Sequence, residues 1–376
     1  MTARERQILQ WIEEDPLISQ EALAKKAGIT RSSVGVHVSN LMKKGYLAGR
    51  GYVLGKQTDA AVVGGVNVDI GGQPFGRLLP RDSNPGAVRT ALGGVGRNIA
   101  HNLALLGARV RLVTAFGDDE NAEKIEKNCQ ALGVDTGASG HFPGERTSTY
   151  LYIADETGDM ALAVADMEIY RHLTPAFLSS RLQQVNAARV AVADTNIPAE
   201  SLRFLSEKLT VPLFVDPVSA AKAKKLTGCL AGIHTLKPNL VEASLLSGVE
   251  IRETRDAAAA AEALLRKGVG RVFLSLGAEG VYAADGKHAG FFPPVKAKVV
   301  NTTGAGDAFM AGLVSAYLHG MDFEATVRFA SAAAAVAAES EQTIAPDMSV
   351  ERVRAALCAV ETGCAGARAH GTGTEN

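Results

Sequence analysis

The sequence predicts an α/β protein in which a small helical module (residues 1–57) precedes a large domain built on a mainly parallel sheet covered by helices. Three observations carry this. From Ala188 onward short apolar runs alternate with helical segments, as strands joined by crossover helices do. Residues 3–43 show instead three helical stripes separated by polar breaks. A chain of 376 residues that is 47% hydrophobic is also long enough to bury a sizeable core.

In the amino-terminal module, residues 3–14 (ARERQILQWIEE) set Ile8, Leu9, Trp11 and Ile12 on one stripe. Ser19 is placed to cap a second helix that reaches Lys26 and stops at Gly28. Thr30 or Ser32 caps a third helix carrying Val34, Val36, Val38, Leu41 and Met42, ended by Gly45. Tyr46–Leu54, with Gly49 and Gly51 at its turn, reads as a hairpin. Three helices and such a wing resemble the winged helix-turn-helix family. That resemblance implies DNA contact through Arg31, Ser32, Ser33 and His37, with Lys43, Lys44 and Arg50 near the phosphates. It also implies a homodimer, because DNA-binding winged-helix proteins usually pair. A module kept only for dimerisation or for packing on the larger domain is the alternative. The charge is +4 over residues 1–57 and −5 over the rest.

The larger domain follows the linker Lys56-Gln57-Thr58-Asp59. A buried strand is expected at Ala60–Val66, leading to Asn67-Val68-Asp69. Ser148–Ala154 and Met160–Val164 flank the turn Glu156-Thr157-Gly158-Asp159 and read as a β-hairpin. Further strands fall at Val190–Ala193, Pro212–Val215, Ile233–Leu236, Val272–Leu276 and Gly280–Ala283. Helices fall at Glu200–Leu209, Leu240–Leu246, Ala257–Lys267, Gly306–His319 and Phe323–Ala338. The domains are therefore 1–57, 58–360 and a polar, Gly-rich tail at 361–376, expected to be disordered.

Bulk properties narrow the class. A pI of about 6.7 and mean hydropathy of +0.06 exclude a generic polyanion binder. Cys129, Cys229, Cys358 and Cys364 are scattered without a CxxC pair, so reduced thiols are expected. A charged amino-terminal stretch, and no apolar run near the ~20 residues of a membrane span, point to a cytoplasmic protein with no membrane partner.

Four runs carry the chemistry. Asn301-Thr302-Thr303-Gly304-Ala305-Gly306-Asp307 opens a helix, where backbone N–H groups and the helix dipole favour an anion. Asp307 can accept a proton from an attacking hydroxyl there, beside a pocket for a transferred phosphoryl group. By itself the run also reads as a Gly-rich helix start capped by Asp. Gly93-Gly94-Val95-Gly96-Arg97-Asn98 opens a helix expected at Ile99–Leu106. Asn84–Thr90 before it reads as loop, which disfavours a dinucleotide fingerprint because that needs a leading strand. Lys237-Pro238-Asn239-Leu240-Val241-Glu242 sets Asn239 and Glu242 on one side of a helix start. That spacing suits Mg²⁺-bound phosphate met through water, and equally a capping box. Ser275-Leu276-Gly277-Ala278-Glu279-Gly280 is a tight turn between strands where backbone can approach a phosphate.

In this order and spacing the four runs resemble the ribokinase-like (PfkB) family of sugar and nucleoside kinases, over about residues 59–360. The resemblance implies an α/β/α sandwich with a small β-sheet lid drawn from about 70–90 and 145–166. It implies Asp307 as the base, with the Gly304, Ala305 and Gly306 backbone as anion hole. Asn239, Ser275, Gly277 and Gly280 would line ATP, and Glu242 would serve Mg²⁺ through water. Asn67, Asp69, Gly93, Gly94 and Asn98 would hold the acceptor's ribose. Asp82-Ser83-Asn84-Pro85-Gly86, the GGVGRN run, Gly158-Asp159-Met160 with Asp166-Met167, and Ala193-Asp194-Thr195-Asn196 resemble members that act on pseudouridine. They imply a nucleoside or sugar acceptor near Asp194 and Asn196, with a loop cap as the alternative for those two. Where many members carry an Asp that helps hold a monovalent cation, this chain has Asn301, which leaves K⁺ dependence open.

Two readings from other classes compete. A transcription factor could keep the kinase fold as a ligand sensor, but a sensor has no chemical need of Asp307. A dehydrogenase built on GGVGRN lacks both the leading strand and an acidic partner.

Overall fold

The computed structural model describes residues 1–47 and 58–358. The chain divides into two units, Met1–Thr58 and Asp59–Asn376. The first unit contains helices Ala3–Glu14, Gln20–Ala27 and Arg31–Lys43, each started by a hydroxyl cap. Thr2, Ser19 and Thr30 accept from the N–H of Glu5, Ala22 and Ser33, and Glu5 returns a bond to the Thr2 N–H. Gly28, at φ 64°, ends the second helix in the left-handed region. Ile8, Leu9, Ile12, Leu23, Val34, Val38 and Leu41 form the core of this unit. Of the expected wing, residues 48–54 lie outside the described residues, as do Arg50 and the tail at 361–376.

In the second unit, β1 (Ala60–Val63) leads to β2 (Asn67–Pro74), which returns as β3 (Gly86–Gly93). After a helix come β4 (Val110–Val113), the short β5 (Ala115–Phe116) and β6 (Gly140–His141), and the hairpin of β7 (Thr149–Ala154) and β8 (Met160–Asp166). The rest alternate with helices: β9 (Val190–Asp194), β10 (Leu213–Asp216), β11 (Thr235–Leu236), β12 (Arg271–Ser275), β13 (Val281–Asp285) and β14 (Ala289–Phe292).

Eight strands form the main sheet, in the order β14-β13-β12-β11-β10-β9-β1-β4. Neighbours from β4 to β12 are parallel, and β13 and β14 are antiparallel. Successive residues of a strand point to opposite faces. Ala60 and Val62 therefore join the core beneath helices Val95–Leu105, Ala305–Leu318 and Phe323–Ala338. Ala61 and Val63 join the other core, beneath Ala199–Lys208, Leu240–Ser247 and Ala257–Arg266. Burial on both faces is why these strands read as unbroken apolar runs. The first of them is shorter than expected, because Gly64 and Gly65 leave the sheet after Val63.

A second sheet, β3-β2-β7-β8, forms the lid. Its register sets Ile70 beside Thr90 and Leu151, and Leu151 beside Val164, on one face. Asn67 and Asp69 lie on the opposite face. Here the expected loop at Asn84–Thr90 is corrected, because Gly86–Gly93 is a strand leading into the GGVGRN turn. Most of β3 is exposed, so it lacks the apolar alternation that marks a half-buried strand. It pairs antiparallel to β2 within the lid, not parallel in the main sheet, so no dinucleotide-type strand–turn–helix unit results. No helix among the described residues is long and apolar enough to cross a membrane.

Candidate active site

The Asp307 run sits where Ala305–Leu318 begins, and its geometry follows from its small residues. Gly304 has φ 85°, and a Cβ there would fall 2.0 Å from the Thr343 carbonyl oxygen. Only glycine fits that place. Asn301 Oδ1 accepts from the Thr303 N–H at 2.9 Å, and Asn301 Nδ2 donates to the Glu341 carbonyl at 3.2 Å. The Ala305 N–H reaches the Thr302 carbonyl at 3.3 Å. Those of Gly306 and Asp307 are first-turn donors with no preceding helical carbonyl to bond. Further along the helix, a Cβ on Gly312 would lie 2.6 Å from Ala330 Cα, so close backbone packing fixes the helix that carries Asp307.

Three main-sheet strands deliver charge to this helix start. Asp194 ends β9, Asp216 ends β10, and Lys237 follows β11. Lys237 Nζ lies 3.1 Å from Asp216 Oδ2, with both residues buried. Burial depresses the Lys237 ammonium, but the charge and hydrogen bond of Asp216, with the charges of Asp307 and Glu242, together outweigh it and hold the pKa above its ordinary value. The same ammonium comes within 3.4 Å of where a Gly306 Cβ would stand, beside the first turn of the helix. Asp307 is half-buried, and its pKa is pushed up to about 7. Burial is the main cause and repulsion from Asp216 the next, opposed by Asn98 and Lys237. Asn98 Nδ2 donates to Asp307 Oδ2 at 2.9 Å, joining two runs that lie 209 residues apart.

The expected nucleotide side gathers at the ends of β11 and β12. Asn239 forms an isolated bridge with Ser275, and the Ser275 N–H donates to the Pro238 carbonyl at 2.9 Å. Asn239 and Glu242 make a full capping box: Asn239 Oδ1 accepts from the Glu242 N–H, and Glu242 Oε2 accepts from the Asn239 N–H, both at 2.9 Å. Glu242 is buried, which raises its carboxyl pKa. Gly277 and Gly280 take φ 62° and 101° in the turn before β13. A cavity of about 500 Å³ opens beside this edge, lined by Leu240, Ile251, Thr254 and Glu279 among others.

On the expected acceptor side Asn67 Nδ2 donates to Asp69 Oδ1. A Cβ on Gly93 would fall 2.2 Å from Asp69 Oδ2, and one on Gly94 would fall 2.5 Å from Val66 Cα. The two glycines thus let the GGVGRN turn lie against the loop before β2. Asp194 commits both oxygens to backbone: Oδ2 accepts from the Gly65 N–H and Oδ1 from the Asn196 N–H, each at 2.8 Å. Asn196 Oδ1 accepts from Lys222 Nζ at 2.6 Å, and that amine also lies 3.6 Å from Met167 Sδ. Lys222 follows a turn in which Val218 holds φ 63°, a strained value for a β-branched residue.

The structure therefore brings Asn98 to Asp307, Asn239 to Ser275, and Asn67 and Asp69 to Gly93. It gives Asp194 a bracing position under the Gly64-Gly65 loop. The first unit carries Arg31, Ser32, Ser33 and His37 on its third helix, with Arg31 and Ser32 exposed. Lys44 of that unit is taken up by Glu5 at 2.7 Å. Sequence reasoning passed over Lys237, Asp216, Arg97 and Lys222. Lys237 and Arg97 stand inside the quoted runs, whereas Lys222 lies in AAKAKKL, which looks like a solvated helix.

Comparison with known proteins identifies the family of each part of the chain. Residues 57–349 match the model of the pfkB family carbohydrate kinases, and residues 1–48 match one described as winged helix-turn-helix DNA-binding. The chain is 42% identical to the pseudouridine kinase of Escherichia coli (strain K12) over 294 residues, covering 78% of this chain and 94% of that one. It is 39% identical over 353 residues to the uncharacterized sugar kinase YeiI of the same organism, covering 93% and 98%. The structure of a carbohydrate kinase from Agrobacterium tumefaciens superposes with a TM-score of 0.71 at 30% identity, over 80% of this chain and 97% of that one. This chain belongs to the pfkB family of carbohydrate kinases and is a phosphotransferase that acts on a hydroxyl of a sugar or nucleoside.

Proposed function

We propose that the protein transfers the γ-phosphoryl group of ATP to the 5′-hydroxyl of pseudouridine, giving pseudouridine 5′-phosphate and ADP. The observation that carries this reading is the Asp307 carboxyl, with a pKa of about 7, set beside first-turn N–H donors and the Lys237 ammonium. A base poised near neutral pH can take the hydroxyl proton as the acceptor oxygen bonds to the γ-phosphorus. The bond between that phosphorus and the β–γ bridging oxygen breaks, and ADP leaves. The N–H groups at Gly306 and Asp307, together with Lys237, offset charge on the transferring oxygens.

Asn239, Ser275, Gly277 and Gly280 would line ATP. Glu242 keeps only one carboxylate oxygen outside its capping box, and no cluster of three ligating side chains exists among the described residues. That donor set fits Mg²⁺ carried in on the nucleotide phosphates and met by Glu242 through water. When bound, the ion neutralises phosphate charge. Asn67, Asp69, Gly93, Gly94 and Asn98 would hold the ribose. Asn196 and Lys222, close together beyond β9, would lie toward the base. The identity to a pseudouridine kinase supports the choice of nucleoside. Steady-state rates on pseudouridine, uridine, adenosine and ribose test it, and a much faster rate on ribose or adenosine would overturn it.

The first unit supports a second role, DNA binding through Arg31, Ser32, Ser33 and His37, because its third helix presents Arg31 and Ser32 to solvent. Binding to heparin or DNA columns should weaken when residues 1–57 are deleted; unchanged retention would end this reading. A homodimer fits the same picture: Val88, Leu151, Leu162 and Val164 expose apolar surface on the lid.

A further inference from the structure

We propose that Arg97 is a positioning residue for the base: it fixes which way round the Asn98 amide sits, and so keeps an N–H group facing Asp307. Arg97 is buried at 5% exposure, and its guanidinium only donates. Nη1 donates to the Leu92 carbonyl at 2.9 Å and to Asn98 Oδ1 at 3.1 Å. Nη2 donates to Asn128 Oδ1 at 2.8 Å and meets His101 Nδ1 at 3.1 Å. Burial and the adjacent guanidinium depress the His101 pKa to about 4, so its ring is neutral and Nδ1 accepts.

Two features separate Arg97 from an ordinary core brace. Among the described residues its guanidinium meets no carboxylate directly: Asp69 acts on it only through longer-range charge, and its buried Nε has no partner. A buried cation with no directly paired carboxylate is costly, so a purely structural need would be met better by an apolar side chain. The contact with Asn98 also has one permitted sense. With Oδ1 on the guanidinium, Nδ2 lies 2.9 Å from Asp307 Oδ2. Turned over, the amide would set N–H against N–H on one side and carbonyl oxygen against carboxylate on the other. Arg97 therefore selects the orientation in which Asn98 stabilises ionised Asp307.

The charged groups facing Asp307 are Asp194 from the end of β9, Asp216 from the end of β10 and Lys237 after β11, with neutral Asn98 from helix Val95–Leu105. Asp216 and Asp194 favour the protonated acid; Lys237 and Asn98 oppose them. Freeing the amide removes one of the two opposing groups. This inference rests on Asp307 as the base, and the experiment separates the two.

Full-length protein is assayed for kcat against pH as wild type, Arg97→Met, Arg97→Lys, Asn98→Ala and Arg97→Met/Asn98→Ala, with Asn128→Ala and Asp307→Asn as controls. The acidic limb should move up by about one pH unit in Arg97→Met and Asn98→Ala, the size of a hydrogen bond to a charged group. It should move less in Arg97→Lys, which keeps one donor, and no further in the double variant than in Asn98→Ala. Asn128→Ala loosens the Arg97 packing and should leave the limb in place. An unmoved limb in Arg97→Met, or equal shifts in Arg97→Met and Asn128→Ala, overturns the proposal. If Arg97→Met does not fold, Arg97→Lys alone and combined with Asn98→Ala decides by the same comparison. Retained turnover in Asp307→Asn would instead defeat the base assignment itself.

Discussion

The Lys237 ammonium stands 3.1 Å from the Asp216 carboxylate, both buried at the carboxyl ends of adjacent parallel strands and next to the first turn of the Asp307 helix. Lys237→Met would remove a cation from beside the proposed phosphoryl site and strand Asp216. Turnover should fall by about 10²–10³-fold, and stability by about 3–5 kcal/mol. Adding Asp216→Asn should recover stability in urea unfolding without recovering kcat. Recovery of both together would show the pair to be only structural.

Asp307 predicts two opposite trends with pH. Turnover should rise as the carboxyl ionises through about 7, and Asp307→Asn should lower it by about 10²–10⁴-fold with little change in nucleoside affinity. For stability the sign reverses. The folded pKa exceeds the unfolded value of about 3.9, so the group's contribution is full below that value and is lost as pH rises through about 7. Discounting for partial exposure, the Asn variant should exceed wild type by about 1–2 kcal/mol at pH 8. At pH 4 the two should nearly match. Equal denaturation midpoints at both pH values would contradict a raised pKa.

Gly304→Ala forces a Cβ to within 2.0 Å of the Thr343 carbonyl oxygen at φ 85°. The helix start must shift, moving the Gly306 and Asp307 N–H groups and the carboxyl together. A loss of about 2–4 kcal/mol in unfolding free energy is expected, with kcat falling more than acceptor affinity. Calorimetry alongside kinetics would reveal it, and near-normal kcat would mean the run does not form the anion hole.

Asn301 uses both ends of its amide within the chain, accepting from Thr303 and donating to Glu341. The turn is thus tied by a neutral group, and turnover should be the same in potassium and tetramethylammonium salts. Asn301→Asp removes the N–H donor and adds charge facing the Glu341 carbonyl, so that variant should become stimulated by K⁺. Strong K⁺ activation of the wild type would refute this account.

Much of the architecture was legible because it depends on local chemistry. Helix Phe323–Ala338 falls where its cap and apolar face require, as Asp322 accepts from the Ala325 N–H. The turn glycines Gly28, Gly94 and Gly304 all take positive φ, which other residues resist. The inner strands β1 and β9 to β13 announced themselves by their buried apolar runs, whereas β4 and the exposed edge strand β14 did not. Strand β3 did not, because a lid strand exposed on both sides has no periodic signature. Asn239 and Glu242 satisfied the capping box that their spacing allowed, which leaves any role toward Mg²⁺ to one remaining oxygen.

What the sequence by itself determined is most of the helices and inner strands, the four motif runs and the carboxylate at a helix start, since each depends on neighbours a few residues away. Only the tertiary structure decided what that carboxylate meets. Asp216 and Lys237 reach it from successive strand ends, and Arg97 reaches it through Asn98 across 209 residues of chain. The physical reason is that a pKa near 7 comes from burial and long-range charge, which strand order and helix packing set and local spacing does not.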